Sequence, residues 1–344
     1  MKPRPLVSSI ALTLFATLGI AVQTPAQTTQ DQITTFDVPG ASGGTLPISI
    51  NPNGEITGYS FDVSGKVHGF LRAADGAITT IDVGPAGNEA QGIDPSGEVT
   101  GLTFEGIGEP GYHGFVRDKD GSITTFDAVQ PFTFPLGINP SGEVMGLTAS
   151  ANSMSRGFVR DKHGSITTFD AGPNGTVPLG INPEGKITGY YFDANFALHA
   201  FVRDSDGSIT TFDAPSAGPG GTTSFSINPR GETTGYYYDA NFRLHGFVRD
   251  SDGTITTFDA PSAGPGGTTS FSINPRGETT GYYYDANFRP HGFVRDSAGT
   301  ITAFDAGPGG TTPRSINPSG EITGSYQDAN GAHGFVRKHS HQED

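Results

Sequence analysis

A near-perfect internal repeat constrains this chain more than any other feature. Residues 205–250 and 251–296 are identical except at two positions, where Ser208 corresponds to Thr254 and Leu244 to Pro290. Within each copy, short stretches of Thr, Tyr, Phe, Ile and Val alternate with Gly, Pro, Asn and Asp, a pattern typical of strands joined by tight turns. Such a chain is expected to place equivalent units against one another.

The same phrases recur along the rest of the chain. A close variant of Ile-Thr-Thr-Phe-Asp ends at seven aspartates spaced 43 to 46 residues apart, namely Asp37, Asp82, Asp127, Asp170, Asp213, Asp259 and Asp305. Four strand-like pieces at this period predict an all-β fold, a seven-bladed β-propeller with four-stranded blades. In the fifth unit, the strands are expected at residues 223–228, 232–238, 245–249 and 254–259.

The last two strands of each unit permit a prediction of register. In six units a His, or Arg in one of them, precedes the Asp of the Thr-Thr-Phe-Asp phrase by 14 residues. With a three-residue hairpin loop at 251–253, His245 faces Asp259 and Phe258 covers Gly246. Both faces of the sheet are then apolar, as expected for a blade packed between two neighbours.

The two ends of the repeat region predict a closed arrangement. Residues 33–37 form a fourth-strand phrase before the first complete unit, and residues 333–337 form a third-strand phrase with no fourth strand after it. We therefore expect the N-terminal strand to complete the last blade, with Asp37 opposite His333. An open solenoid would need polar capping units, which the sequence does not contain.

The boundaries follow from the same pattern. Residues 1–26 carry two basic residues, an apolar run and the small-residue site Thr24-Pro25-Ala26, which together predict a cleaved secretory signal peptide. The apolar run is interrupted by Ser, Thr and Gly, which favours cleavage over an uncleaved membrane anchor. A linker at 27–32, the propeller at 33–338 and a tail at 339–344 complete the predicted organisation.

Composition excludes some partners. The net charge of −15 and the pI near 4.9 argue against nucleic acid and against an anionic membrane surface. The chain has no cysteine, so a secreted domain must bury a core large enough to be stable without disulfides. We expect a secreted monomer, periplasmic or extracellular, with no membrane insertion after cleavage.

Several phrases together resemble a known family. The tripeptide His199-Ala200-Phe201, its His-Gly-Phe variants in five other units, and the Asn-Pro-x-Gly-Glu and Gly-x-Ile-Thr-Thr-Phe-Asp phrases resemble the bacterial HAF-repeat proteins, described as extracellular repeats. The resemblance covers nearly all of the mature chain and implies a secreted, propeller-like protein. It implies no reaction and no catalytic residue. Arg156 departs from the pattern where the tripeptide has His.

The candidate chemical groups have structural interpretations. Each repeat histidine lies in a different blade with an Asp opposite it, which favours a structural hydrogen bond, as in WD-type propellers, over metal or general-base chemistry. The repeat histidines are His68, His113, His199, His245, His291 and His333. The Asp-x-Asp-Gly turns lack the further ligands of a calcium loop, so hairpin turns are expected, with weak calcium binding as the alternative. No catalytic, cofactor or metal site is predicted.

One asymmetry suggests a ligand surface. In units four to six the loop between the second and third strands carries exposed Phe beside Asp and Asn, followed by Arg in units five and six, which suits stacking on and hydrogen bonding to a sugar or peptide. The candidate rim residues are Phe196, Asn241, Phe242, Arg243, Asn287, Phe288 and Arg289. The alternative is that the preceding tyrosines pack between blades and the loops are ordinary turns.

Three functions remain open from the sequence. The favoured one is an exported, non-catalytic binding module for a polysaccharide or a surface protein. The second is a lyase or glycosidase acting at the channel mouth, which would need a non-repeating polar group there that the sequence pattern does not reveal. The third is a purely structural surface repeat.

Overall fold

The computed structural model of the protein describes residues 32–106, 111–129, 131–149 and 154–338. Strands, turns and bends account for these residues, and none of them lies in a helix. The described part of the chain therefore contains no helical segment with the length and apolar character that crossing a bilayer requires. The predicted signal, residues 27–31 of the predicted linker and the predicted tail lie outside the described residues.

The described residues form 28 strands, which follow the repeat. They are β1 (Gln32–Phe36), β2 (Gly44–Ile50), β3 (Ile56–Phe61), β4 (Val67–Arg72), β5 (Ile78–Ile81), β6 (Asn88–Ile93), β7 (Val99–Phe104), β8 (Tyr112–Arg117), β9 (Ile123–Phe126), β10 (Phe132–Ile138), β11 (Val144–Ala149), β12 (Arg156–Arg160), β13 (Ile166–Phe169), β14 (Thr176–Ile181), β15 (Ile187–Phe192), β16 (Leu198–Arg203), β17 (Ile209–Phe212), β18 (Thr222–Ile227), β19 (Thr233–Tyr238), β20 (Leu244–Arg249), β21 (Ile255–Phe258), β22 (Thr268–Ile273), β23 (Thr279–Tyr284), β24 (Pro290–Arg295), β25 (Ile301–Phe304), β26 (Thr311–Ile316), β27 (Ile322–Asp328) and β28 (Gly331–Lys338).

Most strands pair within four-stranded antiparallel sheets. The strands β2–β5, β14–β17, β18–β21 and β22–β25 each form one sheet in chain order. The strands β6–β13 form one eight-stranded sheet, because β8 and β10 share a single parallel pair, Tyr112 and Phe132. The predicted all-β fold with four-strand repeat units is confirmed, and the strands of the fifth unit agree with prediction within one residue at each end.

The first strand of the chain lies in the same sheet as the last three, in the order β1-β28-β27-β26. The register places Phe36 opposite Gly334, and His333 Nδ1 lies 2.9 Å from Asp37 Oδ1. The predicted pairing of residues 33–37 with residues 333–337 is thus confirmed.

The predicted register of the outer hairpin is also confirmed. Gly246 pairs with Phe258, whose ring covers the glycine so closely that a Cβ on Gly246 would lie 2.7 Å from it. The next residue, Phe247, is fully buried and meets Phe212 of the preceding unit edge to face at 6.0 Å. A fully buried phenylalanine occupies this third-strand position in every unit, at Phe70, Phe115, Phe158, Phe201, Phe247, Phe293 and Phe335. Burying one such side chain contributes about 1.5–3 kcal/mol to folding.

The Asn-Pro turns link each unit to the next one. In the first turn, Asn51 Oδ1 accepts hydrogen bonds from the N–H groups of Asn53 and Glu55, and Asn51 Nδ2 donates to the Asp94 carbonyl at 3.0 Å. The same donation to the carbonyl of the next turn occurs from Asn139, Asn182, Asn228, Asn274 and Asn317. The acceptor for Asn317 is the Asn51 carbonyl, so this series of bonds returns to its start.

The first strand of each unit carries a β-bulge. In β18, the pairing with β19 shifts between Ser224 and Ser226, which leaves Phe225 as the extra residue. Because a bulge redirects a side chain, the position of this extra residue matters for the interior of the protein. The extra residues are Ile48, Gln91, Leu136, Leu179, Phe225, Phe271 and Arg314.

Candidate functional site

The loops predicted as a ligand rim are tight turns held by an aspartate. In the fifth unit, Asp239 Oδ1 accepts the N–H groups of Asn241 at 2.8 Å and Arg243 at 2.9 Å. The Phe242 N–H donates to the Asp239 carbonyl. Asp193 and Asp285 hold the loops of the fourth and sixth units in the same way.

Each of these turns presents a phenylalanine in an unusual backbone conformation. Phe196, Phe242 and Phe288 have φ values of 62°, 60° and 61°. The three residues are 63%, 63% and 62% exposed. The left-handed region is unfavourable for a bulky residue, whereas glycine adopts it readily. In the first unit Gly65 occupies this turn position, with φ 83°. The phenylalanines therefore occupy a position that glycine fits better, and their rings gain little burial there.

The arginine that follows the phenylalanine connects the loop to the next unit. Arg289 Nη2 donates to the Gly307 carbonyl at 3.2 Å and lies 3.4 Å from Asp305. Arg243 makes the equivalent, longer contacts with the Ala263 carbonyl and Asp259. The loops between second and third strands thus lie beside the loops that join successive units.

The aromatic residues of units five and six form a continuous series from one rim loop to the other. Neighbouring ring centroids lie 4.8 to 6.4 Å apart along the series Phe242, Tyr238, Tyr236, Phe225, Phe271, Tyr282, Tyr284 and Phe288. We call these eight residues the aromatic track. Burial raises the pKa of both Tyr236 and Tyr282 to about 12, so their phenols remain neutral hydrogen-bonding groups. The predicted alternative is that the tyrosines pack between blades. Tyr237 and Tyr283 are buried against Ala214 and Ala260, which follow the last strand of the preceding unit.

The repeat histidines bridge two carboxylates rather than one. His113 Nδ1 lies 2.7 Å from Asp127 as predicted, while its Nε2 lies 2.6 Å from Glu105. The Glu105 hydrogen bond is the larger of the causes that raise the pKa of His113. The second carboxylate was missed at the sequence level, although an Asp six residues before the His recurs in four units, at Asp62, Asp193, Asp239 and Asp285.

The other candidate groups, Arg156 and the Asp-x-Asp-Gly turns, make hydrogen bonds within their own hairpins. Arg156, which replaces the repeat histidine in the third unit, makes a two-pronged hydrogen bond with Asp170 through its Nε at 2.9 and 3.0 Å. In the Asp-x-Asp-Gly turns the second aspartate accepts an N–H of its own turn, as Asp252 does from Thr254. Among the described residues, no group of three or more His, Asp or Glu is arranged to hold a metal ion. Weak calcium binding remains an untested prediction.

A cavity of about 400 Å³ lies where the first strands of all units converge. All seven bulge residues line it, and five of them are apolar: Ile48, Leu136, Leu179, Phe225 and Phe271. The two polar bulge residues, Gln91 and Arg314, lie on β6 and β26, which belong to the sheets on either side of the β2–β5 sheet. Tyr59 of that intervening sheet also lines the cavity.

Arg314 lines the polar side of this cavity, and the opposite charge of Glu89 lies beside it, behind Gln91. Gln91 Nε2 donates to Glu89 Oε2 at 2.8 Å, and burial raises the pKa of the Glu89 carboxyl. Arg314 stacks on Phe271, with its guanidinium carbon 4.9 Å from the ring centroid. Burial is the largest cause of the raised pKa of Tyr59. Both charges also act on this phenol, since the negative charge of Glu89 raises its pKa and the positive charge of Arg314 lowers it. This non-repeating polar group was missed at the sequence level; its signal is Glu, Gln and Arg at positions where other units have apolar residues or Thr.

No family model and no curated protein sequence matches the chain. Solved structures do match it. A catalytically inactive variant of virginiamycin B lyase from Staphylococcus aureus with quinupristin has a TM-score of 0.59 and 15% identity, covering 89% of this chain and 99% of that one. A streptogramin B lyase structure has a TM-score of 0.54 and 13% identity, covering 89% and 97%. The β-propeller domain of the Trilobed protease from Pyrococcus furiosus, with an open velcro topology, has a TM-score of 0.55 and 10% identity, covering 72% and 82%.

These similarities define a class of fold. The repeated four-stranded antiparallel sheets and the similarity to propeller structures identify the chain as an all-β protein with a β-propeller-like fold. At such low identity the similarity extends to the fold alone. Its function has to be argued from its own surfaces.

Proposed function

We propose that the protein is an exported, closed, seven-bladed β-propeller that binds its ligand without changing it chemically. Three observations support the ring. The eight-stranded sheet is joined at a single residue pair, so it divides into two groups of four strands. Strand β1 completes the sheet of the last three strands, and the Asn-turn hydrogen bonds return from Asn317 to Asn51. The predicted signal peptide and the HAF-repeat resemblance support export.

The binding surface of this proposal is the rim formed by the loops of units four to six. The observation that carries it is the set of three phenylalanines, each more than three-fifths exposed in a left-handed backbone conformation. Strained conformations persist where the surrounding structure enforces them, and they concentrate at binding sites. A purely structural turn would be served better by glycine, as in the first unit.

The proposed ligand is a polysaccharide. Aromatic rings pack against the C–H faces of sugars, while amide, carboxylate and guanidinium groups hydrogen-bond to hydroxyls; Asn241, Asp239 and Arg243 lie next to Phe242 in its turn. Units five and six present the full set, and unit four presents it with Ala197 in place of the arginine. This repetition suits a polymer of repeating sugars because linked binding events reinforce one another. A surface protein is the other partner considered.

The test is the melting temperature of the mature chain, residues 27–344, across a panel of polysaccharides with and without calcium. A ligand at 100 times its Kd adds about 2.7 kcal/mol to the free energy of unfolding. In a domain of this size that amounts to a rise of a few degrees. The double variant Phe242→Gly/Phe288→Gly is expected to lose this shift.

The matched control is Val63→Ala. Val63 is 90% exposed in the corresponding loop of the first unit, which lacks the phenylalanine. A glycan shift that persists in the double variant would refute the rim as the binding surface. The absence of a shift with any glycan would favour a protein partner or a structural role, and a shift with calcium alone would assign an ion site.

Catalysis at the channel mouth is the second candidate, because a non-repeating polar group lies there. Glycoside hydrolysis uses a pair of carboxylates. The cavity lining contains no Asp or Glu among the described residues, and Glu89 contacts it through Gln91. A single carboxylate beside the cavity favours binding over glycosidase chemistry.

A further inference from the structure

The central cavity contains polar residues that repetition does not explain. At the bulge position the other units have Ile48, Leu136, Leu179, Phe225 and Phe271, whereas β6 has Gln91 and β26 has Arg314. The residues equivalent to Glu89 in the first strands of the other units are Leu46, Phe134, Val177 and three threonines. Copying of units would have placed apolar or small neutral side chains at these sites.

The two charges are not used to neutralise each other. Within the described residues, neither Arg314 nor Glu89 lies within ion-pair distance of an oppositely charged side chain. Arg314 instead stacks on Phe271, which holds its planar fork at the cavity and leaves its N–H donors available. Glu89 accepts one hydrogen bond from Gln91, so further acceptor positions on its oxygens remain.

The rest of the cavity wall combines apolar and aromatic side chains with four serines, of which Ser226, Ser272 and Ser315 accept backbone N–H groups of a neighbouring unit. Phe225 and Phe271 meet edge to face at 4.8 Å, and Leu136, Leu179 and Met145 continue the wall. The volume of about 400 Å³ falls in the range of small-molecule sites, which are mostly apolar with a few placed polar groups. A fitting ligand therefore combines an apolar body with one anionic and one cationic group.

We propose that this cavity binds a zwitterionic, apolar amino acid or dipeptide. The ligand carboxylate pairs with the Arg314 guanidinium, for which a two-pronged geometry is favourable. The ligand ammonium donates to the side-chain oxygen of Gln91, which lines the cavity and holds the Glu89 carboxylate behind it. The aromatic or aliphatic side chain of the ligand packs against Phe225 and Phe271. This site is separate from the rim loops, since Phe196, Phe242 and Phe288 do not line the cavity.

The experiment is calorimetric titration of the purified protein with phenylalanyl-phenylalanine in three forms: free, N-acetylated and C-amidated. The free form is expected to bind at least tenfold more tightly than either blocked form, because each block removes one of the two charges. Arg314→Gln is expected to weaken binding of the free form at least tenfold and to leave binding of the amidated form unchanged. Glu89→Gln is expected to weaken the free form and to spare the acetylated form.

Two control variants separate this site from general effects. Arg230→Gln and Arg276→Gln each remove an arginine that pairs with a glutamate, Glu232 or Glu278, in an exposed Asn-Pro turn; both are expected to bind the free dipeptide like the wild type. Equal melting temperatures of Arg314→Gln and the wild type establish that the fold is intact. No binding of the free form, equal binding of all three forms, or unchanged binding by Arg314→Gln would each overturn the proposal.

Discussion

Phe242 and Gly65 occupy the same turn position in different units and share a left-handed backbone, with φ values of 60° and 83°. Both turns are closed by the same bonds: the N–H of the fourth residue donates to the carbonyl of the first, which is Asp239 or Asp62. The first unit thus shows the residue that the backbone prefers. Units four to six show a bulky ring in its place.

This relationship predicts that glycine stabilises the turn relative to alanine. A left-handed conformation costs a residue with a Cβ about 1–2 kcal/mol, part of which is offset by the greater freedom of glycine in the unfolded chain. We expect Phe242→Gly to be more stable than Phe242→Ala by about 1 kcal/mol in urea denaturation. Ala240→Gly, two residues earlier and without a positive φ, is the control and should not be stabilising. Equal stability of the glycine and alanine variants at position 242 would show that the left-handed backbone does not strain this turn.

Asp94 interrupts the series of Asn-turn hydrogen bonds. Its Oδ1 accepts the N–H groups of Ser96 and Glu98 as an asparagine would, but it has no N–H to donate to the next turn. Its charge also contributes, after burial, to raising the pKa of Glu98. Asp94→Asn supplies the missing donor toward the Asn139 carbonyl and removes this repulsion.

We therefore expect Asp94→Asn to raise the free energy of unfolding by about 0.5–1.5 kcal/mol at neutral pH, the usual net value of a hydrogen bond. The urea midpoint measures the change. Asn228→Asp is the mirror-image control, which removes an existing donor from an equivalent turn and should be destabilising. A destabilised Asp94→Asn protein would show that the series of turns does not gain from a seventh donor.

The histidine–carboxylate bridges predict that stability falls at alkaline pH. Hydrogen bonds to carboxylates raise the pKa of three repeat histidines. The largest contribution comes from Asp82 for His68, from Glu105 for His113 and from Asp37 for His333. Their stabilising contribution is complete below the unfolded value near 6.5 and is lost as the pH rises through the folded pKa. The urea midpoint is expected to fall between pH 6 and pH 9.

The third unit offers the matched variant for this prediction. Arg156 stands at the histidine position, stays charged throughout this range and pairs with Asp170. His113→Arg should therefore make the fall of the urea midpoint smaller, because one titrating bridge becomes permanently charged. A fall of the same size in wild type and variant would indicate that His113 does not contribute.

The repeat made the pairing of neighbouring strands predictable. It did not predict which residues of distant strands meet at the cavity. The pairing of His245 with Asp259 and of Gly246 with Phe258 follows from loop length and the two-residue period of strands. The polar side of the cavity depends on a bulge that redirects Arg314 and on the placement of β6 and β26 on either side of the β2–β5 sheet. The left-handed backbone of Phe242 was hidden because phenylalanine rarely adopts it.

The pairing of β1 with β28 gives the last prediction. Phe36 on β1 covers Gly334 and meets Phe70 edge to face at 6.2 Å, as Phe258 covers Gly246 and meets Phe293 at 5.9 Å. Phe258 belongs to a continuous unit, whereas Phe36 joins its sheet across the whole chain. If β1 is a full member of the last sheet, Phe36→Ala and Phe258→Ala should destabilise the protein equally. Each should cost about 3 kcal/mol, the low end for Phe→Ala, because both rings are only half-buried.

Urea denaturation of the two variants tests this equality, and the unfolding slope reports whether all units unfold together. In a closed ring, loss of the Phe36 contacts destabilises both adjoining sheets, so a single transition with an unchanged slope is expected. A much smaller effect of Phe36→Ala than of Phe258→Ala would mean that β1 contributes little to the last sheet, and that the chain behaves as an open array of units.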